Sequence, residues 1–127
     1  MTQNLDPLLI KNRKLLPIVQ GGMGVGISAN KLASAVAREN AIGTIASIDL
    51  RHLHPDLLAK SKEIPVQENY DKLNRIALDR EIKAAKAQSN GQGMIAVNVM
   101  KAVSDYSALI TQACESGADA IVMGAGL

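Results

Sequence analysis

The 127-residue chain has no tryptophan, no phenylalanine and only two tyrosines. Its core must therefore be filled by Ile, Leu, Val, Met and Ala, a composition that suits buried parallel strands covered by helices. Cysteine is nearly absent too. Cys114 is the single one, so no internal disulfide can form and nothing points to an oxidising compartment. Surplus charge is missing: 14 basic residues against 12 acidic ones leave +2, too little to argue for nucleic acid as a partner. No run reaches the ~18 apolar residues of a membrane span. The opening MTQNLDPLLIKNRKLL contains no uninterrupted apolar stretch of signal-peptide type, so the sequence reads as cytoplasmic. With 47% apolar and 20% charged residues, intrinsic disorder is excluded.

What is present is an alternation of short apolar runs and amphipathic stretches. Residues 1–16 read as a lead-in. The first predicted strand is Pro17-Ile18-Val19-Gln20, and it meets Gly21, Gly22, Gly24 and Gly26. Ser28 is a natural N-cap for a helix over 29–40, whose Leu32 and Val36 share a face. Ile42–Ala46 reads as a second strand. Residues 47–69 show little regularity. A long helix is predicted over 71–88, with Leu78, Ile82 and Ala85 inward and Arg75, Asp79, Lys83 and Lys86 in water. Met94–Val99 is the third strand. Ser104 caps a helix over 105–116, with Tyr106, Leu109, Ile110 and Ala113 on one face, and Asp119–Met123 is the fourth strand, running into Gly124-Ala125-Gly126. Strands separated by helices imply right-handed βαβ units and a parallel sheet.

In parallel α/β folds a ligand lies at the carboxyl ends of the strands. Those ends carry Gly22-Met23-Gly24, Ser47, Asn98 and Gly124, all small or polar apart from Met23. Glycine lets a flat ligand approach the backbone, and backbone N–H groups in such a loop favour an anion or an electron-rich ring edge. Against this stands the ordinary role of glycine as a turn residue. His52 and His54 alternate, but no carboxylate or Cys cluster accompanies them, so a solvated loop is expected and no metal site. Cys114 reads as a small packing residue. Gly24-Val25-Gly26-Ile27-Ser28-Ala29 also fits G-x-G-x-x-A with Asp49 downstream, the pattern of a dinucleotide fold, although Gly21, Gly22 and Met23 intervene after the strand.

The stretch Pro17-Ile18-Val19-Gln20-Gly21-Gly22-Met23-Gly24 resembles the nitronate monooxygenase family, formerly the 2-nitropropane dioxygenases. The flavin-dependent enoyl-acyl-carrier-protein reductases share a similar opening. The likeness continues through Leu32–Ala37, Ile42–Ser47, Ala96–Val99 and Ser116–Val122. It implies an FMN-dependent oxidoreductase on a TIM (β/α)₈ barrel that oxidises alkyl nitronates with molecular oxygen through a reduced-flavin and substrate-radical route. It further implies flavin contact at Gly22, Met23 and Gly24, at Asn98, and more loosely at Gly124. A whole barrel needs about 250 residues and eight strands. Residues 1–127 are therefore expected to be the N-terminal part of a single FMN-binding barrel domain, truncated after the fourth strand. The phosphate loops and the catalytic base would lie beyond, and the fragment alone would be inactive and hold FMN weakly or not at all. Two unpaired sheet edges and an uncovered inner face are association hazards of such a half. The competing readings are an enoyl reductase, a non-catalytic nucleotide-binding α/β module and a dehydrogenase fragment using Asp49.

Overall fold

A computed structural model describes residues 4–126. The chain opens with a two-stranded antiparallel hairpin, β1 (Leu8–Ile10) and β2 (Arg13–Leu15). Its turn is made by Lys11 and Asn12, both at positive φ. A lead-in was expected here, because this turn lacks the Asn-Gly or Asp-Gly signature. After the hairpin come α1 (Asn30–Arg38), β3 (Ile42–Ala46), a 3₁₀ turn (Leu50–Leu53), α2 (Pro55–Glu63), α3 (Gln67–Gln88), β4 (Met94–Met100), α4 (Tyr106–Glu115) and β5 (Ala120–Gly124). The sheet is parallel, in the order β3-β4-β5, with helices between its strands. This is an α/β fold.

The predicted first strand shrinks to a single parallel bridge, Val19 opposite Ile42. Pro17 has no N–H to give a ladder, and Ile18 N–H turns back to Leu16 O at 2.7 Å. Only Gln20 N–H to Ile42 O (3.0 Å) and Ile42 N–H to Ile18 O (3.1 Å) join the segment to β3. Beyond that point the Gln20 side chain continues the pairing. Its Oε1 accepts from Thr44 N–H at 2.8 Å, and its Nε2 donates to Thr44 O at 3.2 Å. An amide side chain thus stands in for the next peptide group of a strand.

Alternation along β3 and β4 sorts the residues onto two faces. On the helix side Ile45, Ile95, Val97 and Val99 pack with Leu73, Leu78, Ile82, Ala85, Leu109 and Ala113 as the main core. On the inner side Ile42, Met94 and Ala96 are covered by Leu15 of the hairpin, with Leu8 and Ile10 alongside. The α1 stripe that is buried is Ala33, Ser34 and Ala37, while Leu32 and Val36 are half-exposed. Close approach explains the choice of small residues. A Cβ on Gly43 would stand 1.9 Å from the Ala33 carbonyl oxygen, so α1 lies against β3 with no room for larger side chains.

Ion pairs fasten α2, α3 and α4 together. Arg80 grips Asp56 through two 2.9 Å bonds and holds that carboxyl down at about 2. Arg75 reaches Asp105 at 2.6 Å, and Lys86 reaches Asp119 at 2.9 Å. These two α3 cations were expected to face water; they tie the helix to α4 and β5 instead. Burial pushes the Asp79 carboxyl up, but bonds from Lys83 and Ser116 outweigh it and hold the group below its ordinary value. Cys114 is exposed next to buried Ala113, so it is not a packing residue. The N-cap of α4 is Asp105, with no side-chain cap, so Ser104 does not play that part. No helix among the described residues is long and apolar enough to cross a membrane.

Candidate functional site at the carboxyl rim of the sheet

The ends of β3, β4 and β5 form one rim. Ala46 stands opposite Asn98, Asn98 opposite Val122, and Met100 opposite Gly124. The glycine loop lies over this rim. A Cβ built on Gly22 would stand 2.7 Å from the Cβ of Asn98, and one on Gly24 would meet the Ile48 side chain. Gly22 is glycine because Asn98 occupies its side-chain space. Sequence reasoning kept that space for a ligand. At Gly124 the side-chain direction is open, with no atom within 4 Å. Met23 is half-exposed beside the loop, 52% accessible.

Ser28 holds the loop. Its Oγ accepts from Met23 N–H at 2.8 Å and from Gln20 Nε2 at 3.0 Å, and donates to the Gly21 carbonyl at 3.2 Å. Ser28 is fully buried. It was expected to cap α1, yet the N-cap is Ala29, without a side-chain bond. The cap comes from across the molecule. Glu81 of α3, 3% exposed, accepts from the Asn30 N–H at 2.7 Å and from Asn30 Nδ2 at 2.6 Å. His54 Nε2 lies 3.0 Å from the other oxygen of the same carboxylate. His52 is exposed, as a solvated loop predicts, but His54 is not. No cluster of metal-ligating side chains exists among the described residues.

The Glu81 cap bears on the dinucleotide pattern. A pyrophosphate in that fold sits on the helix N-terminus. Here a buried carboxylate already fills the N-terminus of α1. Asp49, the candidate ribose ligand, is ion-paired with Arg51 and bonded by Asn74 Nδ2 at 3.4 Å.

Two hollows open at the rim. The smaller, about 80 Å³, is lined by Gly22, Gly24, Ser47, Ile48, Asn98 and Met100 among others. The larger, about 370 Å³, shares Ser47 and Ile48 and adds Asp49, Arg51, Tyr70 and Asn74. In it the Arg51 guanidinium lies 4.6 Å over the Tyr70 ring and bonds Asn74 Oδ1 at 3.2 Å. Sequence reasoning missed this group, because it assembles from a 3₁₀ turn and the first turns of α3 that no motif marks.

FMN is the cofactor that the resemblance implies, and the rim residues are compatible with a planar ring edge. Asn98 is half-exposed, and its side-chain amide carries two donor hydrogens and an acceptor oxygen of the kind a ring edge can meet. The open side of Gly124 lies on the same rim. No protein-family model matches the chain, and no curated protein matches it. The likeness to the nitronate monooxygenases therefore rests on the quoted residues.

Proposed function

We propose that this rim is one wall of a flavin site, and that the chain supplies the N-terminal half of a (β/α)₈ barrel of the nitronate monooxygenase type. The observation that carries the proposal is the contact of Gly22 with Asn98. It sets the glycine loop and the end of the central strand side by side, as a shared ring-binding surface requires. In this reading the Asn98 amide bonds a polar edge of the FMN ring. The loop Gly22-Met23-Gly24 covers one side of the ring, with Met23 as the apolar part of the cover. Gly124 leaves clearance at the far end. Ser28 and Gln20 keep the Met23 amide in place through their bonds to the loop and to Thr44. When bound, FMN supplies the electron-transfer chemistry by which an alkyl nitronate is oxidised with molecular oxygen. The half-exposed rim is open to a small substrate at its carboxyl side.

Among the described residues, the small hollow beside Gly22 and Asn98 is lined by no Lys or Arg, so in this reading the phosphate of FMN adds little there. Flavin fluorescence quenching tests this. FMN and riboflavin are expected to bind alike, both weaker than about 1 μM. Asn98→Ala should weaken both by about 1–3 kcal/mol, roughly five- to 150-fold in affinity, because the ring edge loses its partner. Unchanged quenching in that variant, or FMN bound far more tightly than riboflavin, contradicts the assignment.

A further inference from the structure

The larger hollow, of about 370 Å³, has a size ordinary for a small-molecule site. It adjoins the rim through Ser47 and Ile48, but its chemistry is its own. Three carboxylates and one guanidinium border it, and one wall is apolar. Arg51 is its only cation. The Arg51 side chain is 11% exposed and lies over the Tyr70 ring. Its Nη1 is spent on Asp49 and on Asn74 Oδ1, whereas its Nε is buried and has no hydrogen-bond partner. A buried N–H left without an acceptor is costly and uncommon. Nε and Nη2 form the edge of a guanidinium that takes the two oxygens of a carboxylate side-on.

The carboxylates are not equivalent. Asp49 is paired with Arg51, and Asp105 with Arg75. Asp71 is half-buried, accepts from Gln67 Nε2 at 2.6 Å, and has no ion pair among the described residues. It shares one face of α3 with Tyr70 and Asn74, the two residues against which Arg51 lies. We propose that this hollow binds a small aliphatic amino acid as its zwitterion. The ligand carboxylate takes the Nε edge of Arg51, the ammonium meets Asp71, and the side chain lies on the apolar wall of Ile48, Val103 and Leu109. A simple anion faces three carboxylates there, and a simple amine leaves Nε unsatisfied. A ligand carrying both charges meets both demands. Asp49, Asn74 and the Tyr70 ring hold Arg51 in place beforehand, so little freedom is lost on binding. Nε itself is closed to water, and the carboxylate engages it as the guanidinium slides slightly over the ring face.

The site stands apart from the flavin reading, and its test contains no flavin. Isothermal titration calorimetry of the purified chain should show L-valine binding with a Kd of about 1 mM or lower. Two halves of that molecule serve as controls: 3-methylbutanoate lacks the ammonium and isobutylamine lacks the carboxylate. Each should bind at least about tenfold more weakly than valine. Asp71→Asn should bring valine down to the level of 3-methylbutanoate without weakening that anion. Arg51→Lys should abolish the binding of both. Circular dichroism checks that each variant is folded, and where Arg51→Lys is not, Asp71→Asn decides the matter. No binding of valine, equal binding of valine and either half-molecule, or an unchanged valine affinity in Asp71→Asn overturns the proposal.

Discussion

The two faces of the parallel sheet are put together on different principles. The helix side is continuous hydrocarbon: Ile45, Ile95, Val97 and Val99 meet α1, α3 and α4, and every one of them is buried. The inner side changes along the strand. At the amino end Ile42, Met94 and Ala96 are sealed by the hairpin, whereas at the carboxyl end Asn98, Met100 and Gly124 are partly open. Stability is thus concentrated on one face and at one end, and the opposite rim is left polar and accessible. A ligand site can be placed there without disturbing the core.

The comparison is broken most severely from the helix side. Gly43→Ala drives a Cβ into the Ala33 carbonyl oxygen, which stands 1.9 Å from its ideal position and belongs to backbone that cannot swing away. A loss of about 3 kcal/mol or more is expected, from overpacking between two rigid elements. That is a large part of the stability of a small domain. The urea midpoint read by circular dichroism checks it, and an unchanged midpoint would mean that α1 does not lie so close to β3. The loop side is expected to be gentler. Ser28→Ala strips the Met23 N–H and the Gln20 amide of a buried partner, for about 1–3 kcal/mol. Its distinguishing mark is local: amide exchange should accelerate in residues 21–28 and stay slow in β4. Uniform acceleration would place the Ser28 hub in the core of the fold and not in the loop.

Much of this organisation was legible in the residues. The three sheet strands fall where the apolar runs Ile42–Ala46, Met94–Val99 and Asp119–Met123 put them, and the Leu78, Ile82, Ala85 stripe of α3 is buried as its spacing requires. What escaped is local chemistry decided by distant partners. Pro17 cut the first strand short, and the Gln20 side chain took over its pairing. α2 starts at Pro55, a first-turn signal that lay unread in an irregular stretch. Glu81 takes the capping role that spacing assigned to Ser28, because a carboxylate on α3 reaches the first turn of α1 and frees the hydroxyl for the loop. At the site, the positions of Gly22, Asn98 and Gly124 on one rim followed from strand polarity alone. The reason for Gly22 did not, since it depends on where the Asn98 side chain packs.

The most direct test of the rim as a ring-binding wall is a map of backbone amide shifts as riboflavin is added to the isotopically labelled chain. The account predicts that the signals of Gly22, Met23, Gly24, Asn98 and Gly124 move together with one dissociation constant, while those of Ala37 and Ala85 on the helix side stay in place. Movement confined to the helix side or the hairpin, or no movement at any ligand concentration, would contradict it.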